Sequence, residues 1–234
     1  MRLSRLLPLV AIVFLAGCLN LDLRVKLFQD GTGTYTENIE FGNDFLQLVL
    51  NQTSPYNSFD DLLADAASKT LRDLEGIAGV RLIDMRGEKS ADGQRIIMVY
   101  GFDSIADWNV YAQKAKKPQL AMTGVVLPQK KKLPAMTEWT ITYTPADMPI
   151  APPGEERDKI TTPEVEKLPM KIGEFQLTLA GPVPMTAAPS SPGGEIKAEN
   201  RNGEAVYFGA FNEFLGKKLE FAAKYTGEPL PQLV

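Results

Sequence analysis

The chain has 234 residues, 25 basic against 29 acidic, a formal net charge of −4, no histidine and a single cysteine. With no histidine and one cysteine, a Ser-His-Asp or Cys-His nucleophile and a typical zinc site cannot be assembled, and no disulfide can form within the chain. An acidic chain without a long basic run is a poor partner for nucleic acid. The expectation is a non-enzyme without cofactor or metal, with only carboxylate, Ser-Lys or calcium chemistry left open.

Arg2 and Arg5 precede the apolar stretch Leu6–Leu15, broken only by Pro8, and Ala16 and Gly17 stand directly before Cys18. This is the layout of a secretory signal peptide. The apolar stretch is about half the roughly twenty residues that a bilayer span needs. Leu15-Ala16-Gly17-Cys18 resembles the lipobox of bacterial lipoproteins. The resemblance implies a diacylglyceryl thioether on Cys18, cleavage before it, and acylation of the new amine by a chain such as palmitate. Two or three acyl chains anchor stably where one does not. Leu19 and Asn20 follow the cysteine, with no aspartate directly after it. By the common sorting rule of two-membrane bacteria this implies the outer membrane; in a one-membrane organism it implies the outer face of the plasma membrane. Cleavage removes Arg2 and Arg5 and leaves 217 residues with 23 basic and 29 acidic groups, a formal charge of −6. That length suits one large domain or two small ones.

Leu21, Leu23, Val25 and Leu27 alternate with Asp22, Arg24 and Lys26, the period of a half-buried strand. Asp30-Gly31-Thr32-Gly33 supplies a turn, and Tyr35, Ile39 and Phe41 continue as the returning strand. Residues 43–51 read as a short helix. Ser58 and Asp61 resemble a capping box, opening a helix through Phe59, Leu62, Leu63, Ala66, Ala67, Leu71 and Leu74 to a stop at Gly76. Val80–Arg86 and Arg95–Phe102 form a second hairpin. Its second strand, Ile96-Ile97-Met98-Val99-Tyr100, is apolar on both sides and is expected to be covered on both faces. Ser104 and Asp107 open another helix bearing Ile105, Trp108 and Tyr111. Gly124-Val125-Val126-Leu127-Pro128 reads as a strand or an apolar lip. Trp139, Ile141 and Tyr143 alternate with threonines as a strand. The C-terminal third carries further short strands at 175–179, 196–200, 205–208 and 218–225.

The expected architecture is α+β: an antiparallel sheet of hairpins with two to three helices packed on one face, the C-terminal strands joining or extending the sheet. The division is a signal peptide at 1–17, a core at 18–144, and a Pro-rich charged loop or linker at 145–171. A C-terminal β segment at 172–226, in the same domain, and a tail at 227–234 complete it.

A lipobox followed at once by a strand, an Asp-Gly-x-Gly turn and a second strand resembles the LppM-type bacterial lipoproteins. Leu179-Ala180-Gly181-Pro182-Val183, a Gly-rich turn, Asn202-Gly203 and the strand Val206-Tyr207-Phe208 extend the likeness. Ala180-Gly181-Pro182 and Phe208 stand where that family usually has a Leu-Pro-Gly-like turn and a tryptophan. The resemblance implies an exported α+β domain that acts by binding at the envelope, and it brings no catalytic residues.

Asp60-Asp61 fits a helix start, where carboxylates meet free amides and the positive dipole end. Asp30-Gly31-Thr32-Gly33 offers one carboxylate where calcium takes six or more oxygens, so it reads as a turn. Lys130-Lys131-Lys132 is the main basic concentration, with Lys114, Lys116 and Lys117 upstream. It is a candidate membrane-surface contact at about 1 kcal/mol per lysine, against the alternative of a solvated loop. Phe102, Trp108, Tyr111, Trp139 and Tyr143 are candidates to line an apolar cleft between sheet and helices, with core packing as the alternative. The leading expectation is an anchored envelope lipoprotein holding a lipid or other apolar ligand near the bilayer. The alternative is a protein–protein interaction or assembly module with no small ligand. A glycan hydrolase would need two acids at a defined separation, and the sequence places no such pair.

Overall fold

The computed structural model describes residues 19–48, 50, 56–90, 93–128, 136–145, 173–188, 196–210 and 219–227. In chain order these are β1 (Leu19–Leu27), β2 (Gly33–Gly42), α1 (Asn43–Leu48), α2 (Phe59–Leu74), β3 (Val80–Lys89), β4 (Gly93–Phe102), α3 (Ile105–Ala115), β5 (Gln119–Val126) and β6 (Thr137–Thr144). The C-terminal part adds β7 (Glu174–Ala180), β8 (Thr186–Ala187), β9 (Lys197–Arg201), β10 (Glu204–Ala210) and β11 (Phe221–Gly227). The expected signal peptide with Cys18, the lysines at 130–132, the linker at 146–171 and the tail from 228 lie outside the described residues.

The strands form two sheets, one of seven in the order β3-β4-β2-β1-β7-β10-β9 and one of four in the order β5-β6-β11-β8. This overturns the expected helix-covered antiparallel sheet on three points. The large sheet is mixed, because β7 runs parallel to β1 with Leu23 opposite Leu177. A second sheet, rather than helices alone, covers its inner face. The described fold is mostly β. The C-terminal strands accordingly divide: β7, β9 and β10 extend the first sheet, while β8 and β11 join β5 and β6.

Strand alternation decides which face is inner. Leu21, Leu23, Val25 and Leu27 of β1 are all at most 6% exposed, while the intervening Asp22, Arg24 and Lys26 point outward. The register carries that face across the sheet through Tyr35 opposite Tyr100, Leu23 opposite Leu177 and Leu177 opposite Tyr207. The outer face is polar and carries ion pairs such as Arg24–Glu204 and Arg95–Glu40. Ile97 and Val99 lie on that side and are only half-buried, so β4 is covered on one face and not on two. Their apolar character fits a strand flanked by β2 and β3, where branched residues pack against their neighbours.

The inner face is roofed in two parts. Over β3, β4 and β2 lie α2 and α3. Phe59 of α2 sits on Gly87 of β3, where an added Cβ would come within 2.6 Å of its ring. Over β1, β7 and β10 lies the second sheet, with the Phe221 ring 6.0 Å from Phe175 and 5.2 Å from Tyr207. Both helices are capped as their sequences dictate: the Ser58 hydroxyl accepts from the Asp61 amide, and the Ser104 hydroxyl from the Asp107 amide, each at 3.1 Å. Capping of this kind stabilises a helix by about 1 kcal/mol.

The strands of the two sheets also give the molecule two ends. Leu19, the first residue of β1, pairs with Phe41 at one end. Phe221 packs near that end, on Phe175 opposite Leu21. From there β11 runs to Tyr225 and Thr226, which line a groove with Val183 and Pro184 just beyond the far end of β7. Val126, Thr137 and Gly227 are in register at that far end.

Candidate functional site

The densest cluster of the expected site residues lies under α3. Trp108, Tyr111 and Ala112 fall at helical spacing on its buried face. Below them β2 and β4 present Tyr35, Tyr100 and Phe102 from paired positions. The Trp108 ring is 4.6 Å from Tyr35, 5.9 Å from Tyr100, 5.6 Å from Phe102 and 5.5 Å from Tyr111. Its indole N–H donates to the Pro118 carbonyl at 2.9 Å. Offset and edge-on ring pairs of this kind add about 0.5–1.5 kcal/mol each beyond area burial.

A charged pair sits inside this aromatic layer. Helix α3 ends with Lys116 in the left-handed region at φ 53°, and the Lys117 amide then bonds back to the Ala112 carbonyl at 2.8 Å. This reversal turns Lys117 inward, where its ammonium pairs with the carboxylate of Glu37 on the inner face of β2. Glu37 is 6% exposed and also accepts from the Tyr35 hydroxyl at 3.1 Å. The Lys117 ammonium lies 5.6 Å from the Tyr100 ring centroid, within cation–π range. Burial acts to lower the Lys117 pKa, but the Glu37 carboxylate and Tyr100 outweigh it and the net shift is upward. Burial, then the charge of Glu37, pushes Tyr35 far above the ordinary phenol range. Tyr111 and Tyr143 are raised for the same leading reason.

These directions define the chemistry available. Tyr35, Tyr111 and Tyr143 hold their protons, Tyr35 donating its own to Glu37, and the lysine remains an ammonium. A general base or nucleophile requires a group poised near the working pH and open to substrate; this network offers a neutral phenol layer around a closed ion pair. It pairs the buried Glu37 carboxylate with Lys117 and Tyr35, while the buried Tyr143 hydroxyl has no hydrogen-bond partner among the described residues. Sequence reasoning missed Glu37, Lys117 and Tyr35, although alternation from the buried Tyr35 puts Glu37 on the inner face.

The remaining expected residues stand elsewhere. Tyr143 lies on β6 in the second sheet, 6.2 Å from the Phe221 ring, and approaches Tyr35 from the opposite layer. Trp139 lies on the same strand toward the far end, paired with Tyr225 and packed on Gly124. Phe102, Trp108 and Tyr111 thus meet directly, Tyr143 joins them through Tyr35, and Trp139 does not. All five are at most 6% exposed. Lys130, Lys131 and Lys132 lie outside the described residues.

Open grooves mark the surface of the described residues. One, of about 410 Å³, lies beside the start of β1 and is lined by Asn20, Asp22, Glu174, Gln176, Arg201 and Phe208 among others. Burial raises the Asp22 pKa, against the lowering influence of Arg24. The second, of about 500 Å³, is the groove of Val183, Pro184 and Tyr225 at the far end. Among the described residues no group of three or more His, Cys, Asp or Glu could hold a metal, and no helix is long and apolar enough to cross a membrane.

The architecture defines a class, a two-layer, mostly β domain with helices closing one end of a seven-stranded mixed sheet. No protein-family model matches the chain, and no curated protein matches it. Among solved structures it is similar to the folded domain of LppM from Mycobacterium tuberculosis, determined by NMR. That likeness has 11% identity and a TM-score of 0.35, over 91% of this chain and 92% of that one. A likeness at this level transfers no residue roles.

Proposed function

We propose that the chain is an exported, non-enzymatic lipoprotein of the cell envelope, held to its membrane by acyl chains on Cys18. On this reading it works as a protein–protein interaction or assembly module through its surface, without a small ligand inside. The observation that carries the anchoring half is the start of β1 at Leu19, the residue directly after Cys18. Lipid on that cysteine leaves no tether, so the sheet is held at the bilayer and its far end is directed away from it.

The packing of the five aromatics supports the binding half. A carrier for a lipid or other apolar ligand needs a pocket of a few hundred Å³ lined by such side chains. Here Trp108, Tyr111, Phe102 and Tyr143 are at most 1% exposed and in ring contact with neighbours. Their apolar surface is spent on the core, and the open surfaces are on the outside. The location this reading assigns is the outer membrane in a two-membrane bacterium and the outer face of the plasma membrane in a one-membrane organism.

Replacing Cys18 with Ala tests the anchor. The expected result is an uncleaved precursor that alkaline carbonate strips from the membrane fraction. Normal cleavage with retention in the washed membrane would refute the reading.

A further inference from the structure

The two sheets end in four edge strands, β3 and β9 on the large sheet and β5 and β8 on the small one. An edge offers unpaired N–H and C=O groups to any extended chain, and proteins block it with charge, bulges, proline or short length. Three of these edges are blocked. Strand β3 carries Arg81, Asp84, Arg86, Glu88 and Lys89, and a bulge between Leu82 and Asp84 interrupts its register. Strand β9 has Lys197, Glu199 and Arg201 among its five residues. Strand β8 is only two residues long.

Strand β5 differs. Its sequence, Gln-Leu-Ala-Met-Thr-Gly-Val-Val, has no charge and no proline, and it pairs with β6 in unbroken register. The Leu127 amide donates to the Met136 carbonyl at 2.9 Å. Antiparallel pairs alternate between bonded and non-bonded, so the odd-numbered residues bond to β6. The N–H and C=O groups of Leu120, Met122, Gly124 and Val126 therefore point outward. At Leu120 the Asn109 side chain of α3 fills both, donating to the carbonyl at 2.7 Å and accepting from the amide at 2.9 Å. Among the described residues nothing does the same for Met122, Gly124 or Val126. The same stretch carries the two most exposed large apolar residues of the described chain, Val125 at 63% and Val126 at 71%.

Charge indicates what would cover it. Between Asp107 and Glu138 the sequence has six lysines and no acid, in a chain whose overall charge is negative. Lys117 is committed to Glu37, and Lys114 donates to carbonyls at the end of α2.

We propose that the outward edge of β5 from Met122 to Val126 is a strand-addition site for an extended, carboxylate-bearing segment of a partner protein. Main-chain hydrogen bonds to Met122, Gly124 and Val126 provide the affinity, neighbouring residues of the incoming strand cover Val125 on one face of the sheet and Val126 on the other, and acids provide the selectivity. This names the surface of the interaction module and rests on that reading only for the partner's being an envelope protein.

The full-length protein in nonionic detergent is titrated with an eight-residue peptide of alternating valine and threonine bearing two terminal glutamates. A twin peptide bears two lysines instead. Amide hydrogen exchange is read residue by residue. The glutamate peptide is expected to slow exchange at Met122, Gly124 and Val126 at least tenfold, leave Ala121, Thr123 and Val125 unchanged, and bind at least tenfold more tightly than its lysine twin. A Val125→Glu/Val126→Glu variant, altered only at exposed positions, is expected to reverse that preference. Equal protection by both peptides would overturn the charge selectivity. Slow exchange at all six amides without peptide would overturn the open edge. Protection that grows with protein concentration alone would assign the edge to a second copy and overturn the partner. None of these readouts depends on cleavage or lipidation at Cys18, so failure of the anchor and failure of the edge are separate results.

Discussion

The two tryptophans stand in two differently built regions of the same core. Trp108 is 0% exposed, its N–H is bonded to Pro118, and four rings close around it under α3. Trp139 is 6% exposed and packs on a glycine of an edge strand whose last residues are open to solvent. Both entered as candidates for one apolar cleft. The comparison teaches that burial alone does not make a lining: one ring is a structural keystone under α3, the other supports the strand that carries the exposed edge.

The largest difference between the regions is expected on truncation. Trp108→Ala should lower the unfolding free energy by about 4–5 kcal/mol and Trp139→Ala by about 3 kcal/mol, read from urea melts. Equal losses would erase the distinction. Next is the ion pair. Lys117→Met leaves the Glu37 carboxylate buried without its partner, at a cost of about 3 kcal/mol, and a Lys117→Met/Glu37→Gln double variant should recover much of it. A double variant no better than the single one would mean that the pair itself, rather than the orphaned charge, supplies the stability.

Overpacking probes the other region. A Cβ added at Gly124 would lie 2.6 Å from the Trp139 ring, so Gly124→Ala should cost about 1–2 kcal/mol and alter the emission of Trp139 rather than Trp108. The pH response belongs mainly to the first region. Lys117, Tyr35, Tyr111 and Tyr143 all have raised pKa values, so the folded state keeps these protons longer than the unfolded chain does. The stability these four groups contribute is therefore fully present below about pH 10 and is lost as pH rises above it. Tyrosinate absorbance should appear together with loss of circular dichroism. Ionisation of these tyrosines well before unfolding would contradict their closure. The smallest effect is expected at the exposed edge: Val125→Thr/Val126→Thr should change the thermal midpoint by less than about 2 °C, because solvated positions contribute within about 0.5 kcal/mol.

Local structure was legible wherever one strand or helix carries its own signal. Alternation from Leu21 to Leu27 marks β1, and Ser58 and Ser104 mark two helix starts to the residue. Pairing between distant segments was not legible. Nothing in Phe175–Leu179 says that it lies parallel to β1 rather than antiparallel to a sequence neighbour, and that choice turned an expected antiparallel sheet into a mixed one. The division of β10 and β11 between sheets is of the same kind, as is the separation of Trp139 from Trp108. The Glu37–Lys117 pair was hidden because its halves are 80 residues apart. Lys117 also lay in a run of lysines that reads as solvated. The open edge of β5 could be seen only once its neighbours and the Asn109 cap were in place, since an uncharged strand reads equally well as a buried one.

The central claim is an anchored domain with a filled interior, and native mass spectrometry of the detergent-extracted protein tests both parts at once. The account predicts a single species spanning Cys18–Val234 with its acyl chains attached and no further adduct. A chain still carrying residues 1–17, or a stoichiometric lipid-sized adduct that survives detergent removal, would contradict it.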